Sequence, residues 1–349
     1  MTAADTQADA PRLSVLIVSH NSSQALGRTL PALVEQLRPD DEVIVADNAS
    51  SDGSSGLVAE LAPGARVVHT GANLGFSAGV NAAAADASGE LLLILNPDAT
   101  PQPGFREAIV RPWTEGRGWS AWMGLVACNG GTEVNTAGNP LHFTGLTWAG
   151  GHGRPLAAAA RPHEVTIASG ACLAITRASF DRLGGMPERY FLYHEDAEVS
   201  MRLHLQGERV GIEPAAIVEH DYEFVRSFQK MRLLERNRWL FVLRTYPAPL
   251  LLLVMPALLL TELALIPLSI ASGWGREKLL ANLDVLRGLP WALRTRGGVQ
   301  RRRAVTAAEF AAWLTPDLDS PFLGRPARAR LLRWALRAYW RAVRALLPR

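Results

Sequence analysis

The sequence Leu13-Ser-Val-Leu-Ile-Val-Ser19, followed directly by His20-Asn21, is the stretch that decides the fold. It is almost entirely apolar and too short for an average helix, which is typical of a strand that is buried on both faces. Similar apolar runs recur at residues 42–46, 65–69 and 91–95, and segments with helical periodicity lie between them. Strands that alternate with helices predict an α/β fold with a mostly parallel, Rossmann-like sheet flanked by helices.

Each of these four predicted strands ends in a cluster of small or acidic polar residues. The clusters are His20-Asn21, residues 47–54, residues 71–76 and Asn96-Pro97-Asp98. One such cluster would be ordinary turn chemistry, since Asn, Asp, Gly and Ser are the usual turn residues. Because ligands of parallel sheets bind at the carboxyl ends of the strands, four clusters at that edge predict a site for a nucleotide and its metal ion.

Residues 190–202, Tyr-Phe-Leu-Tyr-His-Glu-Asp-Ala-Glu-Val-Ser-Met-Arg, bring an aromatic run directly before Glu195, Asp196 and Glu198. Apolar surroundings raise the pKa of a carboxyl group, which favours a general base. The alternative is a helix start, in which acidic residues complement the helix dipole and Glu198 forms an exposed pair with Arg202.

Taken together, these motifs resemble the glycosyltransferases of family 2, the inverting nucleotide-sugar enzymes with the GT-A fold. The resemblance covers residues 13–224 and is strongest to the bacterial rhamnosyltransferase subgroup, with galactofuranosyltransferases next. It rests on Val18-Ser-His-Asn21, Asp47-Asn-Ala-Ser-Ser-Asp-Gly-Ser54, Asn73-Leu-Gly-Phe-Ser-Ala-Gly-Val-Asn81, Asn96-Pro-Asp98, Ser169-Gly170, and His194-Glu-Asp-Ala-Glu198 with Arg202.

The resemblance implies donor-binding roles at the ends of the second and third strands. Asp47 would hydrogen-bond the pyrimidine base of the donor, although an Asp at this place can also close an Asx-turn. We expect Asp52 to be a helix cap. Asn73 and Gly75 open a helix whose backbone N–H groups and dipole would meet the donor phosphate or ribose, although the glycine can also serve close packing.

The resemblance also implies a metal site. Asn96-Pro97-Asp98 stands where the family has an Asp-X-Asp motif that binds Mg²⁺ or Mn²⁺. Because Asn96 replaces the first Asp, Asp98 is the one firm carboxylate ligand of this motif, unless the segment is only a turn. His220 follows an apolar segment that we expect to be a strand. In galactofuranosyltransferases a His at a comparable place completes the metal shell, although a lone His can also be structural.

By the family pattern, Asp196 is the base that takes the proton of the acceptor hydroxyl. Glu195 and Glu198 would support it electrostatically or face the acceptor. Gly170 lies in a loop that resembles the acceptor-side loop of the family. Arg202 would contact the diphosphate of the donor or pair with Glu198.

The charge of the chain is unevenly distributed. Residues 1–224 hold 14 Lys and Arg against 26 Asp and Glu, whereas residues 225–349 hold 22 against 7. We expect a disordered N-terminus at residues 1–11, which lacks a secretory signal pattern, and a GT-A catalytic domain at residues 12–224. The basic residues 225–349 would form a helical region that associates with a membrane.

The C-terminal region combines an apolar run at residues 249–270 with clusters of arginine. Its length would allow a membrane span, but Glu262 and two prolines leave a helix in the membrane interface, a re-entrant hairpin and a pair of core helices as alternatives. The segment 325–349 predicts a basic amphipathic helix with aromatic residues near the lipid. These aromatic residues are Trp334, Tyr339 and Trp340. The apolar run favours a membrane over nucleic acid, and the arginines favour its cytoplasmic face.

The expected function is an inverting, metal-dependent glycosyltransferase. It would move a sugar, by preference rhamnose from dTDP-rhamnose, from a nucleotide-diphosphate donor to a hydroxyl of a polyprenyl-linked or cell-wall glycan. Transfer of galactofuranose or another sugar from a UDP donor is the nearest alternative. A sugar-1-phosphate nucleotidyltransferase and a non-catalytic membrane scaffold are further alternatives, the latter because the first Asp of the metal motif is missing. No motif specifies the oligomeric state.

Overall fold

The computed structural model describes residues 10–220, 227–320 and 329–348. Of the predicted disordered N-terminus, residues 1–9 therefore lie outside the described residues. The chain divides into two compact units. The first comprises Met1–Gly138, Gly150–Ser200 and Arg209–Tyr222, and the second comprises Asn139–Ala149, Met201–Glu208 and Glu223–Arg349. The predicted domains were continuous ranges and did not include the two short segments that the second unit takes from the earlier part of the chain.

The first unit begins with four parallel strands. They are β1 (Leu13–Ser19), β2 (Glu42–Asp47), β3 (Arg66–His69) and β4 (Leu91–Leu95), in the spatial order β3-β2-β1-β4. The helices between them are α1 (Ser23–Val34), α2 (Ser54–Leu61) and α3 (Phe76–Asp86). Every residue of β1, β2 and β4 is buried. Burial on both faces explains the nearly continuous apolar runs, and the predicted α/β fold is confirmed.

The sheet continues with strands of mixed direction. The elements that follow along the chain are β5 (Thr100–Pro101), α4 (Phe105–Thr114), β6 (Trp119–Cys128), β7 (Glu133–Thr136), β8 (Leu141–His142), β9 (His163–Glu164), β10 (Cys172–Thr176), α5 (Arg177–Leu183), α6 (Glu195–Leu205) and β11 (Arg209–Glu219). Of these strands, β8 does not belong to this sheet. The spatial order runs on as β4-β10-β6-β11-β5, with β10 antiparallel to both of its neighbours. The carboxyl ends of β4 and β11 therefore belong to one sheet, on opposite sides of β10.

Asp52 fixes the starts of two helices. Its Oδ2 atom accepts a hydrogen bond from the Ser23 amide at the start of α1 (2.9 Å), and its Oδ1 atom accepts one from the Ser54 amide at the start of α2 (3.1 Å). These amides have no partner within their helices, and a carboxylate beside them also complements the helix dipoles. Asp52 is therefore a helix cap, as expected, and it holds the loops after β1 and β2 side by side.

The second unit is mainly helical. Its elements include β8, α7 (Phe228–Thr245), α8 (Ala248–Ala271), α9 (Gly275–Arg301), α10 (Ala307–Ala311), β12 (Leu314–Thr315) and α11 (Arg330–Leu346). The predicted helical C-terminal region is confirmed. Within the described parts of the chain, α8 is the one helix that is long and apolar enough to cross a membrane. It remains a single helix although Pro256 and Pro267 lie within it.

Helix α11 has two different faces. Trp340 is buried and stacks on Phe143, with 5.0 Å between the ring centroids, and the Tyr339 hydroxyl donates a hydrogen bond to the Leu253 carbonyl. Trp334 is 64% exposed. The expectation that all three aromatic residues lie near lipid is therefore wrong for Trp340, which packs within the unit. For Trp334 and the half-buried Tyr339 it stays a prediction.

Candidate active site

Asp98 and His220 lie together at the end of the sheet. The His220 Nε2 atom is 3.0 Å from the Asp98 Oδ1 atom. The short strand β5 explains this contact, because it follows Asp98 and pairs with the last residues of β11, with Thr100 opposite Glu219. His220 is the next residue along the chain. Strand pairing therefore brings together two side chains that are far apart in the sequence.

The donor atoms of this pair suit a divalent cation. A carboxylate oxygen and an imidazole nitrogen suit Mn²⁺ better than Mg²⁺, which prefers oxygen alone. Two ligands at right angles, each about 2.1 Å from one cation, are about 3 Å apart, and the observed separation is 3.0 Å. Among the described residues, no group of three or more His, Cys, Asp and Glu side chains is placed to hold a metal ion. Water and phosphate oxygens would therefore complete the coordination.

The surroundings hold this pair in position. The His220 amide donates to the Ala127 carbonyl (2.9 Å), and the His220 carbonyl accepts a hydrogen bond from the Asn135 side chain (3.1 Å). Burial raises the pKa of Asp98, but the hydrogen bond and charge of His220, followed by the charge of Arg28, bring it below its ordinary value. With a side chain that is 45% exposed, Asp98 is an ionised carboxylate that a ligand can reach.

Asp196 is the second residue of α6, and its carboxylate is held from two sides. The Oδ2 atom accepts a hydrogen bond from the Gly170 amide (3.1 Å), and the Oδ1 atom accepts one from the Ala197 amide (2.7 Å). Burial raises the pKa of Asp196, although these amides act in the opposite direction. A carboxylate that is fixed by backbone donors and has a raised pKa has the properties of a general base.

The loop at residues 169–171 links the Asp196 carboxylate to the segment that carries Asp98. Its Gly170 amide donates to Asp196, and its Ala171 carbonyl accepts a hydrogen bond from the Asn96 amide (3.0 Å). One short loop thus fixes both the predicted base and the start of the predicted metal motif. The sequence had no signal for Ala171, because this residue acts through its backbone.

Glu195 is buried beside Asp196, and this burial favours its protonated form. It is 6% exposed, and its Oε2 atom has no hydrogen-bond partner among the described residues. Burial, followed by the negative charge of Asp196, raises the pKa of Glu195 to about 8. This burial does not fit the expectation that Glu195 faces the acceptor. A supporting role beside Asp196 stays a prediction.

Glu198 and Arg202 are buried as well. The hydroxyl of Tyr190, a side chain that is also fully buried, donates a hydrogen bond to the Glu198 Oε2 atom. The alternative of an exposed pair between Glu198 and Arg202 is therefore wrong in its exposure. The burial of Glu198 does not fit a direct contact with an acceptor, and a supporting role stays a prediction. The hydrogen bond from Tyr190 to Glu198 instead links the residue before the segment at residues 191–194 to the first turn of α6.

The backbone between these two residues is strained. Phe191, Tyr193 and His194 have φ angles of 65°, 72° and 70°, a left-handed conformation that is unfavourable for residues with a Cβ atom. The Phe191 carbonyl accepts a hydrogen bond from the Phe76 amide at the start of α3 (2.6 Å). Such strain persists only where surrounding contacts impose it, and it is concentrated at functional sites. Tyr-Phe-Leu-Tyr-His contains no glycine, so the sequence did not predict this geometry.

Asp47, at the end of β2, closes a turn. Its Oδ1 atom accepts a hydrogen bond from the Ser50 amide (3.1 Å), and its Oδ2 atom is 3.4 Å from His69 Nδ1. Burial raises the pKa of Asp47, but hydrogen bonds from Ser50, Ser55 and His69 bring it below its ordinary value. The Asx-turn is therefore present, and the contact with a donor base stays a prediction. Sequence reasoning missed His69, which the strand register places opposite Asp47.

Asn73 and Gly75 form the turn that starts α3. The Asn73 Oδ1 atom accepts a hydrogen bond from the Gly75 amide (3.1 Å). Gly75 has a φ of 86°, and a Cβ atom there would lie 2.5 Å from the Phe191 carbonyl oxygen, so this position requires glycine. The amides of Gly75 and Phe76 are thus engaged within the protein. A donor phosphate would meet other groups of this turn, and the donor-binding role of Asn73 and Gly75 stays a prediction.

Comparison with known proteins gives the family. A family model described as glycosyl transferase family 2 matches residues 14–184. Residues 14–184 are a family 2 glycosyltransferase domain. The expectation of a glycosyltransferase, drawn from the strand-end motifs, is confirmed, and it replaces the nucleotidyltransferase as the interpretation of the chain.

The glycosyltransferase is similar to several curated proteins. It is 28% identical over 235 residues to the N-acetylglucosaminyl-diphospho-decaprenol L-rhamnosyltransferase of Mycobacterium tuberculosis, a match that covers 60% of this chain and 75% of the relative. It is 26% identical over 238 residues to the probable glycosyltransferase YdaM of Bacillus subtilis, which covers 66% of this chain and 54% of that protein. The expected likeness to rhamnosyltransferases is therefore confirmed.

Solved structures share the fold of the glycosyltransferase. GalNAc-T7 with UDP, GalNAc and Mn²⁺ has a TM-score of 0.57 at 16% identity, over 69% of this chain and 49% of GalNAc-T7, so the chain spans about half of that protein. TarS 1–349 of S. aureus with UDP has a TM-score of 0.50 at 15% identity, over 96% of this chain and 90% of TarS. The predicted GT-A fold is confirmed.

We expect Tyr190→Phe to lower the free energy of unfolding of the glycosyltransferase by about 2 kcal/mol, because it removes a hydrogen bond to a fully buried carboxyl group. Denaturant unfolding measures the effect. The matched control is Tyr246→Phe, since that buried hydroxyl has a longer bond of 3.4 Å to a neutral carbonyl, that of His142. Equal losses in the two variants would contradict a special role of the bond to Glu198.

We expect Glu195→Gln to stabilise the glycosyltransferase more at pH 8 than at pH 5. Folded Glu195 keeps its proton up to about pH 8, whereas an unfolded Glu releases it near pH 4.3. Between these values the folded state binds more protons, so wild-type stability falls as the pH rises. Gln has no proton to lose, and the stability of the variant relative to wild type should therefore rise by about 3.5 kcal/mol between pH 5 and pH 8. Thermal unfolding at both pH values checks this, and a gain that does not change with pH would contradict it.

Proposed function

We propose that this glycosyltransferase is an inverting, metal-assisted enzyme that acts on a nucleotide-diphosphate sugar and a hydroxyl group of a glycan acceptor. The observation that carries the proposal is the pair of Asp98 and His220, whose Oδ1 and Nε2 atoms are 3.0 Å apart. Two hydrogen bonds of the loop at residues 169–171 connect their segment with Asp196. A cation-binding pair and a fixed carboxylate with a raised pKa are what direct sugar transfer requires.

Asp98 and His220 would hold Mg²⁺ or Mn²⁺, which neutralises the charge on the departing diphosphate. The acceptor oxygen attacks the anomeric carbon on the face opposite the diphosphate, and its proton passes to Asp196. A bond forms between the acceptor oxygen and the anomeric carbon while the bond from that carbon to the diphosphate oxygen breaks. The electron pair leaves with the nucleoside diphosphate, and this single displacement inverts the anomeric configuration.

The remaining roles follow the family resemblance. Asp47 binds the pyrimidine base, and Asn73, Gly75 and Asn96 line the donor side. On the acceptor side, the Gly170 amide holds Asp196 in place. Burial raises the pKa of Glu195 above the ordinary range of a carboxyl group, to about 8, which favours its neutral form beside an ionised Asp196. Arg202 is assigned to the diphosphate.

The preferred donor is dTDP-rhamnose, and the preferred acceptor is a polyprenyl-linked sugar at the cytoplasmic face of the membrane. Support comes from the M. tuberculosis relative, which is named as an N-acetylglucosaminyl-diphospho-decaprenol L-rhamnosyltransferase. GalNAc-T7 is described with UDP, GalNAc and Mn²⁺, which supports the use of a divalent cation. A UDP-galactofuranose donor is the second candidate, and it is favoured by the His220 ligand.

A donor screen with the purified full chain tests the proposal. The chain is incubated with dTDP-rhamnose or UDP-galactofuranose and Mn²⁺, with and without polyprenyl-diphosphate N-acetylglucosamine, and the released nucleoside diphosphate is measured. We expect release of dTDP that depends on the acceptor and stops when a chelator is added. Release of UDP would reassign the donor. Full activity in the chelator, or no transfer with any donor, would contradict the mechanism.

A further inference from the structure

Glu262 is the single charged residue of α8, and it belongs to a buried cluster of four charges. The four-charge cluster consists of Glu235 and Arg238 on α7, Glu262 on α8 and Lys278 on α9. The Lys278 Nζ atom is 2.6 Å from a carboxylate oxygen of both Glu235 and Glu262. Arg238 is 3.0 Å from Glu235 and 3.1 Å from Glu262. Two acids and two bases make the cluster neutral, and they tie α8 to both neighbouring helices.

The four-charge cluster prevents α8 from moving independently of α7 and α9. Arg238 and Lys278 are almost completely buried, so separation from the acids would leave charges without compensation inside the protein. The Trp239 indole also donates a hydrogen bond to Glu262 (3.0 Å). Any placement of α8 in a membrane must therefore carry the two neighbouring helices with it.

Helices α7 and α9 pack along each other in the same direction. Arg244 of α7 lies over the Trp291 ring of α9, 4.3 Å from its centroid. Further along both helices, Arg296 donates to the Tyr246 carbonyl (2.7 Å). Both helices carry charges along their length, and although both are long enough, neither is apolar enough for a membrane span. A spanning α8 would draw these charges into hydrocarbon, which is strongly unfavourable.

The position of Glu262 makes a span still less favourable. Helix α8 has 24 residues and is about 36 Å long, so Glu262 lies only about 4 Å from its midpoint. In a helix that crossed the bilayer, the four-charge cluster would sit close to the midplane, where ionised side chains cost most.

Helices α8 and α9 nevertheless expose large apolar side chains. On α8, Leu260 and Leu263 are 67% and 65% exposed, and on α9, Leu279 and Leu286 are 62% and 64% exposed. Leu279 and Leu286 are two helical turns apart and therefore lie on one face of α9. Apolar faces on two neighbouring helices are typical of helices that lie in the interface of a membrane.

Helix α11 adds a basic face to the same unit. Arg330, Arg333, Arg337 and Arg341 surround the exposed Trp334. Arginine binds phosphate groups, and tryptophan favours the level of the lipid headgroups. Nucleic acid would also bind the arginines, but it offers no partner for the exposed leucines of α8 and α9. An anionic phospholipid surface matches both features.

We propose that α8 and α9 lie in the plane of an anionic membrane surface and that α8 does not cross the bilayer. Their exposed leucines enter the interface, and the arginine face of α11 contacts the phosphate headgroups. This inference rests on the membrane partner of the proposed function, and it adds the mode of attachment and the surfaces that make it.

Vesicle binding tests the surface. The full chain is mixed with vesicles of phosphatidylcholine alone or with phosphatidylglycerol, and the bound fraction is measured by flotation. We expect binding to the anionic vesicles that weakens with salt, and a loss of about tenfold or more in the double variant Leu260→Glu, Leu286→Glu. The matched control is Val34→Glu, an exposed apolar position of α1 in the first unit, which should change binding less than about twofold.

Cysteine labelling tests the mode of attachment. Ala248→Cys and Ser272→Cys each place one exposed thiol at an end of α8, and both native cysteines are buried. The chain is bound to the outside of sealed vesicles and treated with a membrane-impermeant maleimide. We expect both positions to react without detergent. Protection of one end until detergent is added would show a span and overturn the inference.

Two other outcomes would assign the exposed leucines or arginines to a different partner. Self-association of the chain through the leucine faces, lost in the double variant and without vesicle binding, would assign these faces to a second copy. Binding to duplex DNA but not to vesicles would assign the arginines to nucleic acid, and either result overturns the inference.

Transfer of the sugar to a short soluble acceptor is measured in parallel. Transfer without vesicle binding would contradict only this inference, whereas vesicle binding without transfer would contradict only the proposed function.

Discussion

The variant Asp196→Asn is expected to lower kcat by about 10³-fold, because an amide cannot take the proton of the acceptor hydroxyl. Its amide oxygen can still accept the hydrogen bond that Gly170 donates in the wild type at 3.1 Å. We therefore expect the fold and the affinity for the nucleoside diphosphate to remain close to those of the wild type. The loss belongs to the chemical step and appears in single-turnover rates rather than in calorimetric donor binding.

Glu195→Gln is the matched control for this experiment. It makes the same change from carboxyl to amide at the preceding residue, but Glu195 already holds its proton at neutral pH, with a pKa of about 8. We expect kcat of this control to stay within about threefold of the wild type. Turnover within a few fold in Asp196→Asn would falsify the assignment of the base. An equal loss in both variants would show that the pair acts as one unit.

The second large effect is expected from His220→Ala. Without the imidazole, Asp98 is the remaining protein ligand of the predicted cation pair, and the Mn²⁺ concentration for half-maximal donor binding should rise by about 10²-fold. Calorimetric titration of nucleoside diphosphate at a series of Mn²⁺ concentrations measures this shift. His163→Ala serves as the control, because His163 is exposed and its Nδ1 atom contacts the Arg161 carbonyl.

A double-mutant cycle separates metal binding from a structural effect. If Asp98 and His220 bind one cation, the effects of Asp98→Asn and His220→Ala on Mn²⁺-dependent binding should not add, since both changes weaken the binding of the same cation. A loss of nucleotide affinity in His220→Ala that is the same with and without Mn²⁺ would contradict a metal role.

The sheet and the strand-end clusters could be predicted from the sequence because buried parallel strands have a simple signature. Strand β1 is Leu-Ser-Val-Leu-Ile-Val-Ser, and each of its residues is buried. The proximity of Asp98 and His220 could be expected only through the family resemblance. Two features could not be predicted. The Ala171 carbonyl carries no side-chain signal, and the positive φ of Phe191 is imposed by tertiary contacts.

Burial of the acidic residues was equally hard to foresee. Carboxylates in the first turn of a helix have the same pattern whether they face solvent or the core, and the sequence could not show that Tyr190 donates to Glu198. The same limit applies to α11. The periodicity of its sequence shows which face carries the aromatic residues, but it does not show whether that face contacts the protein or lipid. Glu262 looked like an interruption of an apolar run, because its partners Arg238 and Lys278 lie on other helices.

The two-residue strand β5 has a consequence for recognising related sites in other chains. Its pairing with β11 sets Thr100 opposite Glu219 and so fixes the spacing from Asp98 to His220. Asp98 lies in the turn directly before β5. One residue inserted between Asp98 and Thr100 would lengthen this connection and shift the Asp98 carboxylate relative to His220, while both residues stayed in the sequence. An aligned Asp and His are therefore insufficient to diagnose the predicted cation site, and the number of residues between Asp98 and the first residue of β5 is the stricter criterion.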